Sequence, residues 1–182
     1  HIHYDHVGGI DDLRPFCRFG DINIYSNTDV VKGLKHNMPY CFPEKGDLYP
    51  GVPRLILHEI KPHVGFSIGD IEVMPITVMH DKLPILGYRI GKLAYITDMK
   101  NIEEKELEYL SGISVLVINA LRWKREHHSH QLVDDAISFA RKLGVKRVFL
   151  IHMTHEIGLH AKANLFLPSG VQFGFDGETI IV

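Results

Sequence analysis

Cysteine is nearly absent from this 182-residue chain, which has only Cys17 and Cys41. Their spacing does not demand a disulfide, and the expectation is two free, buried thiols of a reducing, cytoplasmic compartment. No apolar run reaches the roughly 20 residues needed to cross a bilayer, and no secretory signal is expected. An excess of either charge is also missing: 20 Lys and Arg stand against 22 Asp and Glu, a net of −2. Such a balance gives no general attraction for nucleic acid or an anionic membrane. Internal repeats and low-complexity segments are lacking. The remainder is ordinary for a globular protein, 45% hydrophobic and 23% charged. It is long enough for one domain, residues 1–182, with a substantial core. Histidine is the exception, with thirteen copies, and their clustering matters more than their number.

The densest cluster opens the chain: His1-Ile2-His3-Tyr4-Asp5-His6-Val7-Gly8-Gly9. Alternate residues of an extended segment share a side, so His1, His3 and Asp5 are expected to project together, with His6 turning in beside Asp5. Imidazole nitrogen and carboxylate oxygen are ligands that borderline divalent ions such as Zn²⁺ accept. One tetrahedral ion cannot take all four residues and further ligands, so the pattern points to two adjacent ions. A purification tag would be a homopolymer, which this is not.

Further along, residues 10–16 read as a short helix with Asp11 and Asp12 in its first turn. A strand at 21–25 follows, and Ser26-Asn27-Thr28 offer caps for a helix to about Leu34. Residues 37–53, with four prolines, read as a loop that is either a lid or a surface excursion. Strands are expected at 54–60, 66–68 and 71–78, with Pro75 marking an edge or a bulge. A hairpin joins 87–90 to 93–97. Asn101 and Glu104 resemble a capping box for a helix to Leu110. Residues 115–118 form an apolar run suited to a strand buried on both faces. Ser129 or His130 caps a helix over about 132–143, closed by Gly144. A buried strand at 147–151, a helix at 157–165 and two terminal strands around Asp176-Gly177 complete the pattern. Three expected strands end in ligand-type residues: His80, Asp98 and His152. Strand ends are where open α/β sheets build their sites.

The opening motif, with Val78-Met79-His80, Tyr95-Ile96-Thr97-Asp98 and Leu150-Ile151-His152 in order, resembles the metallo-β-lactamase superfamily of metal-dependent hydrolases. The resemblance implies an α/β fold, an αββα sandwich. In the family, an N-terminal β-sheet precedes the H-x-H-x-D-H motif, so an N-terminally incomplete domain lacking those strands is expected. Carried over residue by residue, His1, His3 and His80 would hold one ion and Asp5, His6 and His152 the other, with Asp98 bridging. The ions would be Zn, or alternatively Mn. Two ions roughly 3.5–4 Å apart lower the pKa of a shared water and clamp phosphoryl oxygens. The implied reaction is phosphodiester cleavage by a metal-bound hydroxide. Asp5 would orient the nucleophile and His130 would act as general acid.

Within the superfamily, the C-terminal stretch Ile151-His152-Met153-Thr154-His155, Leu167-Pro168-Ser169-Gly170-Val171 and Gly174-Phe175-Asp176-Gly177 resembles phosphodiesterases that open phosphoribosyl 1,2-cyclic phosphate. His155 would then support the ligands from behind. Arg122, Lys124, Arg125 and Lys82 are candidate phosphate contacts. The cysteine cluster by which such relatives hold a further structural metal is not visible. The expected partner is a small, cyclic or nucleotide-like phosphate, with no membrane or nucleic acid, and a homodimer is left open. The alternatives are ribonuclease Z-like RNA processing, carbonyl hydrolysis of a lactam or thioester, and a non-enzymatic metal or redox protein.

Overall fold

The computed structural model describes residues 1–43 and 48–182. The chain forms two compact units, His1–Lys61 and Pro62–Val182. Among the described residues no helix is long and apolar enough to cross a membrane.

In the first unit, β1 (Ile22–Ser26) and β2 (Leu55–Glu59) pair in parallel, Ile22 opposite Leu55 and Ser26 opposite Glu59. Parallel neighbours need a crossover, and α2 (Thr28–Asn37) supplies it, following the single turn α1 (Tyr4–Val7) near the start of the chain. Asn27 caps α2, its side chain accepting from Val30 N at 3.0 Å. Val30, Leu34, Met38 and Cys41 form the unit's core, with Ile2, Val7, Ile24 and Leu57 against them. Gly33 lies within α2 because Ile2 packs there: a Cβ would meet Ile2 Cγ1 at 2.6 Å. Cys17 and Cys41 are both buried and free. The 37–53 loop is partly core, since Cys41 and Phe42 pack into it. Its residues 44–47 lie outside the described ones.

The second unit is built on a seven-stranded sheet in the order β3 (Phe66–Ile68), β4 (Ile71–His80), β5 (Leu83–Ile90), β6 (Leu93–Ile96), β7 (Val115–Asn119), β8 (Arg147–Ile151), β9 (Val171–Phe173). Pairing is antiparallel from β3 to β6 and parallel from β6 to β9. All five positions of β7 are buried, as its uninterrupted apolar run requires. One face of the sheet packs Ile76, Val78, Ile96, Leu116, Ile118 and Leu150 against Val133, Ala136 and Ala140 of α3 (Val133–Lys142). The other face carries Val115, Val117 and Phe149. A last short helix, α4 (His160–Asn164), is tied to β9 by Asn164 Oδ1, which accepts from Phe173 N at 2.9 Å.

β3 pairs with β4 only over Ile71–Val73, and other groups complete the outer edge of β4 beyond that point. Pro75 has no donor to offer; its carbonyl accepts from His63 N at 2.8 Å. Pro75 therefore sits at a local edge, as its lack of an N–H demands. Thr77 N donates to Glu106 at 3.0 Å, and the same buried carboxylate oxygen meets His63 Nε2 at 2.8 Å. Met79 exchanges bonds with Asn101, at 2.8 Å and 3.2 Å.

Several expected elements differ. Residues 4–7 form a helical turn instead of continuing an extended segment, because His3 O captures both His6 N (3.0 Å) and Val7 N (3.2 Å). The opening helix becomes a 3₁₀ run, Asp11–Phe19. Asn101 does not cap the following segment: it bridges to Met79, and a 3₁₀ run, Glu104–Leu110, begins only after Glu103. Neither Ser129 nor His130 caps α3. Leu132 precedes it, and Asp135 Oδ2 accepts from Leu132 N at 3.0 Å. The helix expected at 157–165 is broken at Gly158, which has φ 88°. After β9 no further strand occurs among the described residues.

One turn is sterically exacting. Gly170 holds φ 83°, and its carbonyl accepts from Val148 N at 2.8 Å. A Cβ there would lie 2.0 Å from Lys146 O. Gly170→Ala is expected to lower stability by roughly 2 kcal/mol or more, measured by urea denaturation. A loss below about 0.5 kcal/mol, the scale of a neutral surface change, would mean that the turn relaxes freely.

Candidate metal centre

The strand directions assemble this site. Two antiparallel steps carry β4 to β6, so β4 and β6 run the same way, and β7 and β8 are parallel to β6. All four C-termini therefore reach one edge of the sheet. His80 is the last residue of β4, Asp98 lies two residues past β6, Asn119 ends β7 and His152 follows β8.

Asp98 and His152 adopt left-handed backbone conformations, φ 55° and 56°. Such conformations cost of order 1–3 kcal/mol each and persist where the surroundings enforce them. Around Asp98 the enforcement is visible. His80 Nδ1 lies 2.8 Å from Asp98 O and 3.1 Å from Ser129 O. Two carbonyls can only accept, so Nδ1 carries the proton and the lone pair is on Nε2, the tautomer that a metal ligand needs. On the other side, Asn119 Oδ1 accepts from Met99 N at 2.8 Å and Asn119 Nδ2 donates to Met99 O at 3.0 Å.

The Asp98 carboxylate is 1% exposed. Its Oδ1 lies 3.0 Å from His152 Nε2 and 3.3 Å from His130 Nδ1. One ligand atom from each of His80, Asp98 and His130 falls within 4.8 Å of the others. The His130 ring lies 4.7 Å from that of His80, 4.8 Å from His152 and 5.0 Å from His127. His130 Nδ1 is buried, and its contact with Asp98 is an ion-pair approach with no hydrogen bond among the described residues. Imidazole nitrogens gathered on a buried carboxylate are the donor set that a borderline divalent cation such as Zn²⁺ accepts.

Burial pushes the His130 imidazole down to about 4, with Asp98 opposing and His152, His80 and His127 adding to the fall. His127 is also lowered, first by burial and then by the charges of His128, Arg122, His80 and Lys100. His127, Asn119 and the Ser129 carbonyl had no individual signal in the sequence, apart from the position of Asn119 at the end of an apolar strand.

In the first unit, the opening motif is closely packed by itself. His1 Nε2 lies 3.0 Å from His3 Nδ1, the His1 ring is 4.4 Å from those of both His3 and His6, and His6 Nε2 is 3.5 Å from Asp5 Oδ2. The helical turn, not strand alternation, gathers these groups, and His6 joins His1 and His3.

The remaining candidates are placed differently. Arg122 spends its donors on its own loop, Nε to Arg125 O at 2.8 Å and Nη2 to Glu126 O at 3.2 Å, with Glu156 at 3.7 Å from Nη1. Arg125 also pairs with Glu156. His155 is exposed, and its carbonyl closes a turn with Gly158 N at 3.0 Å. Lys82 is exposed in the β4–β5 turn.

The low value at His130 sets a pH dependence. The unfolded chain protonates this residue near its ordinary 6.5 and the folded chain only near 4, so folding releases a proton between those values. The contribution of His130 to stability is complete above the upper value and is lost as pH falls toward the lower one. For chelator-treated protein, denaturant midpoints from pH 7 to 4 are expected to fall less steeply in His130→Gln than in the parent. Equal slopes would show that the imidazole titrates normally.

Comparisons with known proteins give the family. The chain is similar to a diphosphatase from the PhnP family: 32% identity, TM-score 0.84, covering 97% of this chain and 66% of that one. An octanoyltransferase from Porphyromonas gingivalis is 40% identical over all 182 residues, which span 37% of its length. The short form of human tRNase Z shares the fold, with 17% identity and TM-score 0.71, covering 100% of this chain and 76% of that one. Residues 1–153 match the model described as the beta-lactamase superfamily domain. With its mixed α/β fold and histidine-rich strand ends, the chain belongs to the metallo-β-lactamase superfamily of metal-dependent hydrolases.

Proposed function

We propose that this chain hydrolyses a phosphodiester in a small, cyclic or nucleotide-like phosphate, at a binuclear centre. The observation that carries the reading is His130, a buried imidazole set against Asp98, His80 and His152. Its support is the 32% identity to a diphosphatase of the PhnP family. Membership in a superfamily marked by the H-x-H-x-D-H motif supports His1, His3 and His80 as ligands of one ion. It likewise supports Asp5, His6 and His152 as ligands of the other, with Asp98 common to both. When bound, two divalent ions, Zn or Mn, acidify water and neutralise charge on phosphoryl oxygens.

The chain's own residues do the rest. His80 holds its Nε2 lone pair outward because its Nδ1 proton is committed to two carbonyls. Asp5 orients the attacking water. His130 passes a proton to the leaving alkoxide. An anionic phosphoryl group beside His130 favours the charged imidazolium, offsetting the burial that keeps it neutral otherwise. Arg122 stiffens the loop that leads to His130, and that role replaces direct contact with phosphate.

Octanoyl transfer, the activity named for the Porphyromonas gingivalis relative, is not favoured by any observation here. These 182 residues span 37% of that relative's length, so its named activity is not carried over to them. The tRNase Z likeness is one of fold.

The test is the full-length protein with Zn²⁺ or Mn²⁺ against bis-p-nitrophenyl phosphate, a cyclic ribose phosphate and a β-lactam. Turnover of the phosphodiesters, abolished by chelation, is expected; hydrolysis of the lactam alone overturns the reading. His130→Ala is expected to keep its metal and lose on the order of 10²–10⁴ in kcat. Unchanged kcat removes the proton-donor role.

A further inference from the structure

We propose that Asn119 is a positioning residue of this centre, holding Asp98 in the conformation in which its carboxylate meets metal. The inference rests on the reading of Asp98 as a ligand. Asp98 sits at φ 55°, a left-handed conformation that residues with a Cβ adopt at a cost, least for Asn and Asp. What fixes such a residue is the orientation of the peptides on either side. The peptide after Asp98 is held by His80 Nδ1 at its carbonyl, 2.8 Å away. Met99, the next residue, is gripped at both N and O by the single Asn119 amide, at 2.8 Å and 3.0 Å. Asn119 is fully buried, so water cannot take over either bond.

The chemistry of this grip is narrow. It needs one acceptor and one donor on a short planar group. Aspartate keeps the acceptor but sets a second oxygen against Met99 O. Leucine fills the space and supplies neither bond.

The strand end that carries Asn119 also indexes the other residues of the site. Asn119 pairs in register with Ile151, and Ala120 N donates to Ile151 O at 2.9 Å, just before His152. Leu121 N donates to Gln131 O at 2.9 Å, just after His130, and Leu121 O accepts from Thr154 N at 2.9 Å. One segment of three residues thus sets the distances among Asp98, His130 and His152, and Asn119 is its link to Asp98.

The experiment compares Asn119→Ala, Asn119→Asp, Asp98→Asn and the core variant Val148→Ala, using the full-length protein. Zn²⁺ affinity is read by competition with a chromophoric chelator, and stability of the metal-free protein by thermal denaturation. Both Asn119 variants are expected to lose tenfold to a hundredfold in Zn²⁺ affinity, the range for groups that orient a ligand. Val148→Ala, destabilised by the loss of core methyl groups, is expected to bind Zn²⁺ as the parent does. If Asn119→Ala does not fold, Asn119→Asp, with its volume and acceptor kept, carries the measurement. Parental affinity in a folded Asn119 variant, alongside weakened binding in Asp98→Asn, overturns the proposal and leaves the reading of the centre intact. Parental affinity in Asp98→Asn overturns the reading of Asp98 as a ligand, and the proposal with it.

Discussion

The common direction of β4, β6, β7 and β8 is the constraint on which the second unit's chemistry depends. Because their C-termini reach one edge, four side chains far apart in sequence meet without any long loop to carry them. The burial of β7 on both faces makes that edge rigid, for a strand packed from both sides cannot shift without disturbing two cores. Everything finer is then a matter of local hydrogen bonds: the His80 tautomer, the left-handed turn at Asp98 and the amide grip on Met99.

The electrostatics follow from the same crowding. Asp98 is almost completely excluded from water, yet it has imidazole nitrogens from His152 and His130 beside it. A buried carboxylate is tolerated when it is paired, and His152 and His130 are placed to pair with this one. Burial pushes the His130 imidazole down to about 4, so above that value His130 adds no charge of its own beside the carboxylate.

Much of this was legible in the chain. The ligand-type residues at 80, 98 and 152 could be read because an apolar run followed by a polar residue marks a strand end, and strand ends converge. The same rule applied to Val115–Asn119 points to Asn119, but its partner, the backbone of Met99, carries no side-chain signal. The opening motif misled through period. Its alternation suits a strand, but one carbonyl, His3 O, takes two donors and closes a helical turn. Asn101 and Ser129 carry genuine capping chemistry that goes unused: Asn101 is drawn into a bridge with Met79, and Ser129 Oγ lies 3.2 Å from His127 Nδ1. Local sequence cannot foresee the bridge at Asn101, because Met79 lies many residues away.

The outer side of β4 bears on how this sheet behaves in a crowded solution. Past the short β3, the backbone groups at Pro75, Thr77 and Met79 are met in turn by His63 N, the Glu106 carboxylate and Asn101. A strand with such groups open is a template onto which another polypeptide can add. Here a proline, a buried carboxylate and a single bridge replace the neighbouring strand, each engaging a different backbone group. From Pro75 to Met79 these backbone groups are already engaged, so an incoming strand cannot extend the sheet along that stretch of β4.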